Sequence, residues 1–180
     1  QKPVERVLAE IDKICSIWPR PFIEFADDNS FVHRRFWKQL LPELKRRRVK
    51  WFTETDLSIH DDDELLQLMR DAGCAQLLIG LESPTEVGLD GIELKQNRKR
   101  AWWPDYIPAI KNIQSHGIRV NGCFVLGLDG HTTDVFDEGL EFAEVSELYD
   151  AQITYQTPVP GTPLYDRLMR EDRMLFPTEW

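Results

Sequence analysis

The stretch Asp63-Glu-Leu-Leu-Gln-Leu-Met-Arg-Asp-Ala-Gly-Cys-Ala-Gln-Leu-Leu-Ile-Gly-Leu-Glu-Ser83 decides the fold. Its first part has the apolar spacing of an amphipathic helix over about 61–72. Gly73 follows, and a glycine there can take the left-handed conformation that ends a helix. The next residues, 75–81, form a strand-like run that ends on Glu82 and Ser83. The stretch therefore predicts one helix, a tight turn and a strand with a polar carboxyl end.

The same unit recurs along the chain. Strand-like runs lie at Phe22–Ala26, Trp51–Thr55, Ala75–Leu81, Arg119–Leu126 and Gln152–Thr157. Helical patterns lie at about 3–17, 32–47, 61–72, 103–116 and 133–148, with a short one from about 163. Strands that alternate with helices indicate parallel strands joined by right-handed crossovers. The connection from Ser83 to Trp102 is unusually long, which hints at a functional role.

Composition restricts the possible functions. The chain has 180 residues, a net charge of −9 and a pI of about 5.0, so it suits one acidic domain and makes nucleic acid a poor partner. The basic run 45–50 is interpreted as a solvated helix end. No apolar run approaches the ~18–20 residues of a membrane span, and there is no signal-peptide pattern. These features predict a cytoplasmic protein.

Cysteine spacing gives no metal motif. Cys15, Cys74 and Cys123 are far apart, without any C-x-x-C pair, and are interpreted as free thiols. The aspartates 61–63 precede a helix, and we interpret them as caps rather than as a metal site. No metal-ligating residue is therefore predicted in this chain.

The two faces of the strands differ. With a period of two, one face is apolar and the other is rich in polar or small residues. The polar-face sets are Glu24, Ala26 and Asp28; Gln76, Leu78, Gly80 and Glu82; Asn121, Cys123, Val125 and Gly127; and Gln152, Thr154 and Gln156. The second strand is ambiguous. A closed eight-stranded barrel is filled by bulky aliphatic residues, and a doubly wound sheet is apolar on both faces. The pattern instead predicts a wide or incomplete barrel whose lumen holds a large polar ligand.

Polar groups also gather at the carboxyl ends of the strands, where parallel α/β folds bind ligands. They are Asp27-Asp28-Asn29, Thr53-Glu54-Thr55, Glu82-Ser83, Gly127-Leu128-Asp129 and Gln156 with Pro158-Val159-Pro160-Gly161-Thr162. Each motif alone has a local explanation as turn or cap chemistry. Five in succession predict a binding site at this end of the sheet.

These motifs resemble the radical S-adenosylmethionine (SAM) superfamily, particularly its cobalamin-linked branch and the group that includes the hopanoid methylases. The resemblance covers nearly the whole chain and rests on Phe25-Ala-Asp-Asp-Asn29, Thr53-Glu-Thr55, 63–74, Ile79-Gly-Leu-Glu-Ser-Pro84, Lys95-Gln-Asn97, 122–129 and 156–165. It implies a partial (β/α) barrel of parallel strands, the radical SAM TIM-like barrel, with strands two to six present. Residues 1–180 would form a single such domain.

The resemblance also implies an activity and cofactors. A reduced [4Fe–4S] cluster would cleave SAM to a 5′-deoxyadenosyl radical, in a cobalamin-dependent protein of the methyltransferase type, while the protein supplies positioning. The substrate would be a small or lipid-like molecule, and an external electron donor would be needed.

The cofactor-binding residues implied by the resemblance are Asp27, Asp28, Asn29, Glu54, Glu82, Ser83, Lys95, Gly122, Gly127, Asp129 and Gln156. The first three would contact the methionyl amino group of SAM. Glu82 and Ser83 would hold the ribose or carboxylate, with Lys95 a further candidate for the carboxylate. The backbone of 122–129 would meet the adenine, and Gln156 and Thr162 would line the substrate side.

The chain departs from the family pattern in one respect. Family members carry C-x-x-x-C-x-x-C after the first strand, because three thiolates hold three irons and leave the fourth for SAM. Neither that loop nor that strand is present in this sequence. The expectation is a fragment whose cluster loop and cobalamin-binding domain lie upstream, and which is inactive in isolation.

Two alternatives stay open. The first is a SAM- or ligand-binding barrel that has lost the cluster and has no catalytic activity. The second is an unrelated (β/α) enzyme that uses Glu24, Glu54 and Glu82 as acid/base groups or as metal ligands. Trp102 and Trp103 could form a substrate lid, although packing is the simpler interpretation.

Overall fold

Five parallel strands form one sheet in the computed structural model of the protein, which describes residues 2–93 and 97–175. The strands are β1 (Phe22–Phe25), β2 (Lys50–Thr55), β3 (Cys74–Glu82), β4 (Arg119–Leu126) and β5 (Asp150–Tyr155). The helices are α1 (Val4–Ile17), α2 (Arg34–Arg47), α3 (Asp63–Asp71), α4 (Arg98–Trp102), α5 (Tyr106–Ser115), α6 (Val135–Ser146) and α7 (Pro163–Arg170). Short 3₁₀ helices span Ser30–His33, Leu57–Ile59, Val87–Leu89 and Trp103–Asp105.

The spatial order of the strands, β1-β2-β3-β4-β5, follows the order of the chain. Right-handed crossovers that always advance in one direction place every connecting helix on the same face of the sheet. The opposite face is therefore left without helices, as in the interior of a (β/α) barrel. The predicted partial barrel of parallel strands is confirmed.

The helix-covered face carries the core. Trp37 of α2 stacks on Trp51 of β2 with ring centroids 5.6 Å apart, and Phe25 of β1 meets both rings edge-on. Trp51 also donates a hydrogen bond from its indole nitrogen to the carbonyl oxygen of Ala72 at 2.9 Å. Burial of these large aromatic side chains is a main source of stability.

The second strand, which the sequence left ambiguous, takes a definite orientation. Trp51 and Thr53 are buried under the helices, while Phe52 and Glu54 face the other way; Thr55 is buried at the strand end, where it also borders the helix-free side. The two buried threonines are satisfied locally, because Thr53 donates to the carbonyl oxygen of Phe25 at 2.9 Å and Thr55 donates to Asn29 at 3.3 Å. Hydrogen bonding of these hydroxyl groups allows polar side chains on the packed face.

Several local predictions are confirmed. As predicted, Gly73 takes the left-handed conformation after a helix, with φ of 96°, and Gly117 does so as well after α5, with φ of 79°. Asp62 caps α3 by accepting a hydrogen bond from the backbone nitrogen of Leu65 at 3.0 Å. The predicted helices 32–47 and 103–116 each begin as a 3₁₀ turn, and the long connection contains both a 3₁₀ helix and α4.

Candidate ligand-binding site

A cavity of about 770 Å³ lies on the helix-free face of the sheet, and we call it the inner-face cavity. Strand register places residues from neighbouring strands side by side there: Glu54 aligns with Leu78, and Gly80 aligns with Cys123, which aligns with Gln152. The period-two prediction of an inner face rich in polar or small residues is therefore confirmed for Leu78, Gly80, Cys123 and Gln152, whereas Glu54 belongs to the strand that the sequence left ambiguous. The lining side chains are Glu24, Asp28, Asn29, Phe52, Glu54, Thr55, Asp56, Leu78, Gly80, Glu82, Glu93, Arg98, Lys99, Trp102, Cys123 and Gln152.

Carboxylates dominate the charge of this cavity. Its acidic lining residues outnumber the basic ones, Arg98 and Lys99, by six to two. They come from β1, β2, β3, the residues directly after these strands and the long connection: Glu24, Asp28, Glu54, Asp56, Glu82 and Glu93. A concave site of one sign raises the local concentration of ligands of opposite charge, so this cavity favours cationic ligands.

The ends of β1 and β2 are joined by a hydrogen-bonded group. Asn29 donates from its side-chain amide to Asp56 at 2.8 Å and accepts from the Thr55 hydroxyl at 3.3 Å. Burial works against ionisation of Asp56, but hydrogen bonds from Ser58 and Asn29 outweigh it and lower the pKa of this carboxyl. Asp56 therefore stays charged at neutral pH beside the cavity.

Glu82, at the end of β3, is held by a cation from the long connection. Its side chain forms an ion pair with Lys99 of α4, whose ammonium group also donates to the carbonyl oxygen of Gly80 at 3.0 Å. Lys99 is anchored in turn, because its backbone nitrogen donates to Glu93 at 2.9 Å. Both charged side chains are about three-quarters buried, since Lys99 is 25% and Glu82 29% exposed.

A second cavity of about 660 Å³ adjoins the first, beyond the ends of β4 and β5, and we call it the C-terminal cavity. Asp129 and Gln156 line it, as does Arg167 of α7. Asp129 forms ion pairs with Arg167 and with Arg173, the latter at 2.8 Å, and these two cations lower the pKa of its carboxyl. Gln156 extends the β4–β5 ladder by donating from its backbone nitrogen to Leu126 at 2.8 Å.

The structure thus brings six of the predicted residues to the two cavities. Asp28, Asn29, Glu54 and Glu82 line the inner-face cavity, and Glu82, Asp129 and Gln156 line the C-terminal cavity. Thr162 is used as the cap of α7, where its hydroxyl accepts from the Tyr165 backbone nitrogen at 3.3 Å.

Four other predicted residues lie away from the lining of both cavities, and Lys95 lies outside the described residues. Asp27 borders a separate groove between α1 and β1. Ser83 is fully buried, and its hydroxyl bonds the Thr85 carbonyl and His131 Nε2, each at 2.9 Å. Gly122 faces the packed side, where the Leu81 and Leu148 side chains occupy the space that its own would need. Gly127 has φ of 86° in an open position after β4. Their roles in binding stay predictions.

The sequence did not predict that Arg98 and Lys99 line the cavity, and it raised Trp102 only as part of a possible substrate lid. All three belong to α4, and the guanidinium of Arg98 lies 4.9 Å from the ring centroid of Trp102. The signal was available in the long connection, which combines the basic run 98–100 with two tryptophans. Of these two, Trp102 lines the cavity, whereas Trp103 stacks on Phe142 with ring centroids 5.7 Å apart.

The cysteines of this chain do not fit an iron–sulfur cluster. Cys74 is completely buried at the start of β3, Cys123 lies on the inner face of β4, and Cys15 is on α1. In the described ranges, no group of three or more His, Cys, Asp or Glu side chains could hold a metal ion. None of the helices there has the length and apolar character that a membrane span needs.

The chain is similar in sequence to several curated proteins. The hopanoid C-2 methylase of Rhodopseudomonas palustris is 30% identical over 97% of this chain and 33% of its own length. The anaerobic magnesium-protoporphyrin IX monomethyl ester cyclase of Cereibacter sphaeroides is 26% identical over 91% of this chain and 27% of its own length. The chain spans about a third of the length of such curated relatives.

A solved structure shows the same fold. The radical S-adenosylmethionine methyltransferase TsrM from Kitasatospora setae, with cobalamin and a [4Fe–4S] cluster bound, matches with a TM-score of 0.74 at 15% identity, over 95% of this chain and 34% of that one. The family description of the radical SAM superfamily matches residues 1–143. Because that match covers well over half of the sequence, the chain belongs to the radical SAM superfamily.

Proposed function

We propose that this chain is the SAM-binding part of a radical SAM enzyme of the cobalamin-dependent methyltransferase type. The observation that carries the proposal is the acidic inner-face cavity at the carboxyl ends of the strands. SAM bears a sulfonium and an ammonium group but only one carboxylate, so a cavity rich in carboxylates with two cations suits its charge. Together with a cluster, SAM supplies a 5′-deoxyadenosyl radical.

The residues of this chain would bind and orient the ligand. Asp28 and Glu54, at adjacent strand ends, would face its cationic groups. Arg98, on the same wall as Trp102, would suit its carboxylate, because a guanidinium recognises carboxylates well. The low pKa of Asp56 adds a permanent negative charge to this wall.

We further propose that residues 1–180 form one partial barrel domain of a longer protein. The cluster-binding strand, with C-x-x-x-C-x-x-C, and any cobalamin-binding domain would belong to the remainder. Relatives about three times as long support this proposal, as does the poor fit of Cys15, Cys74 and Cys123 to a cluster. Sequencing the gene upstream of Gln1 tests it: a start codon without such cysteines nearby would contradict it.

Methyl transfer to a small or lipid-like substrate, with an external electron donor in the cytoplasm, is the finer part of the proposal. Several relatives are methyltransferases, among them the hopanoid C-2 methylase and the bacteriochlorophyllide d C-12(1)-methyltransferase of Chlorobaculum tepidum. The cyclase among the relatives shows that this group also includes another reaction.

SAM binding can be measured directly on this chain by isothermal titration calorimetry. We expect SAM to bind more tightly than S-adenosylhomocysteine, which lacks the sulfonium charge. Glu54→Gln should weaken SAM binding about tenfold, because it removes one favourable charge interaction. Glu64→Gln is the matched control, since Glu64 is 79% exposed on α3. Equal affinities for the two ligands, or no binding of either one, would contradict the proposal.

A further inference from the structure

The inner-face cavity and the C-terminal cavity meet at one small group of side chains. Glu82, Glu93 and Lys99 line both cavities. The Glu82–Lys99 ion pair therefore lies between two cavities whose lining residues differ. The inner-face cavity is dominated by carboxylates, whereas the C-terminal cavity adds apolar side chains, such as Val125 and Leu128, and the cations Arg167 and Arg170.

The backbone of Glu82 has an uncommon conformation for a residue other than glycine. Its φ is 67°, in the left-handed region that residues other than glycine seldom adopt. The register between β3 and β4 shifts between Gly80 and Glu82, so β3 is locally distorted at the residue whose side chain lies between the two cavities. A conformation of this kind costs free energy and persists only where surrounding contacts hold it. The ion pair with Lys99 is one such contact.

Gly80 provides the space for the pair. A Cβ atom at this position would lie 2.7 Å from a carboxylate oxygen of Glu82 and 3.2 Å from the Lys99 ammonium nitrogen. The Gly80 carbonyl oxygen also accepts a hydrogen bond from that ammonium group at 3.0 Å. Because Gly80 has no side chain, both charged groups can pack against its backbone.

We propose that Lys99 is a positioning residue which holds Glu82 and thereby sets the charge selectivity of the inner-face cavity. While the pair is formed, the charge of one carboxylate is offset and the cavity suits an organic cation of low net charge. Without Lys99, the free Glu82 carboxylate would strengthen the preference for cations. The inference deepens the proposed function, because SAM is the cation considered there, but it can be tested without SAM.

Cys123 provides a reporter inside the cavity. It lies on the inner face, in register with Gly80. Burial raises the pKa of its thiol, the nearby carboxylates of Glu82 and Glu54 raise it further, and Lys99 acts in the opposite direction. The reactivity of this thiol therefore responds to the charges that the proposal concerns.

The experiment compares the rates at which Cys123 reacts with a cationic and an anionic methanethiosulfonate, the trimethylammonium-ethyl and sulfonatoethyl reagents. The thiolate forms a disulfide with either reagent and releases methanesulfinate, so the ratio of the two rates cancels any change in thiolate fraction. Cys15→Ser is the common background, since Cys74 is completely buried. Mass spectrometry of peptides locates the modification.

We expect Lys99→Met to raise the cation-to-anion rate ratio about tenfold, and Glu82→Gln to lower it by a similar factor. Lys99→Arg should keep the ratio of the parent protein. The double variant Glu82→Gln with Lys99→Met removes both charges and should restore that ratio, which a general loss of packing would not do. Lys111→Met is the matched control, because Lys111 pairs with Glu147 at 3.2 Å outside both cavities.

An unchanged ratio in either single variant, or a double variant that behaves like Lys99→Met, would overturn the inference. If Lys99→Met fails to fold, which reactivity of Cys74 would reveal, Glu82→Gln still tests the opposite shift. A parallel titration with SAM separates the two proposals. Shifted ratios without SAM binding would support the role of Lys99 and contradict the proposed function, whereas SAM binding with unchanged ratios would do the reverse.

Discussion

Strands β3 and β5 belong to one sheet and show the same alternating pattern, yet their environments are opposite. Leu77, Ile79 and Leu81 of β3 are fully buried beneath the helices. On β5, every residue is exposed, and Ile153 and Tyr155 are 59% and 73% exposed. The comparison shows that an apolar strand face becomes core only where a helix covers it, because the free energy of burial depends on the area removed from water.

The largest expected effect is the difference in unfolding free energy between matched substitutions on β3 and β5. Ile79→Ala is expected to lower the free energy of unfolding by about 2–5 kcal/mol, since it leaves a cavity in a packed region. Ile153→Ala, the matched change on β5, should cost less than about 1 kcal/mol because that side chain is mostly exposed. Urea unfolding monitored by circular dichroism gives both values. Similar losses in the two variants would show that β5 is as well packed as β3.

Smaller losses of unfolding free energy are expected at the N-terminal caps of α3, which precedes β3, and α7, which follows β5. Asp62→Ala removes the cap of α3 and is expected to cost about 1 kcal/mol. Asp62→Asn keeps an acceptor for the cap but loses the ion pair with Arg34 at 2.9 Å, so it separates the two contributions.

The corresponding change beyond β5 is Thr162→Ala at the cap of α7. We expect it to lower the global free energy of unfolding less than Asp62→Ala does, because local opening of a peripheral helix does not require unfolding of the core. Hydrogen exchange of the α7 amides should increase in this variant. A global loss equal to that of Asp62→Ala would contradict the distinction between centre and edge.

The smallest expected effect is a pH dependence of the unfolding free energy. It arises from His131, which links the loops after β3 and β4. His131 Nε2 lies 2.9 Å from Ser83 Oγ, and its buried Nδ1 has no hydrogen-bond partner within the described ranges. Because Ser83 Oγ lies 2.9 Å from the Thr85 carbonyl, to which it can donate its only proton, we infer that Nε2 carries the hydrogen and Nδ1 does not. Burial lowers the pKa of this imidazole below the ordinary value of 6.5.

The direction of the change in unfolding free energy with pH follows from proton linkage. The unfolded chain takes up a proton near pH 6.5, whereas the folded protein takes it up only at lower pH. The contribution of His131 is therefore fully present above pH 6.5 and is lost as the pH falls towards the lowered folded pKa. His131→Asn should flatten the slope of unfolding free energy between pH 5 and 7, with exposed His33→Asn as the control. An unchanged slope would contradict this interpretation.

Much of the site was predictable because strand alternation is a local property of the chain. The period of two placed Glu24, Glu82, Cys123 and Gln152 on one face, and register then brought them together. Ser83 was also expected at the site because it follows Glu82, but its hydroxyl is used within its own loop. A distance of one residue along the sequence does not determine which way a loop side chain turns.

Lys99 illustrates what local patterns cannot predict. It lies 17 residues after Glu82, and only the packing of α4 over the strand ends brings the two side chains together. The sequence marked the connection as unusual without indicating which of its basic residues enters the cavity. Contacts across such a long connection depend on tertiary packing rather than on periodicity.

By itself, the sequence determined the order of helices and strands, their parallel arrangement, the polar inner face and the superfamily. These properties follow from hydrophobic periodicity, turn chemistry and motifs, which act over short stretches of chain. The tertiary structure alone decided the orientation of β2, the Glu82–Lys99 pair, the burial of Ser83 and the exposure of β5. Each of these depends on which distant element packs against a residue, and that is set by the three-dimensional arrangement of the whole sheet.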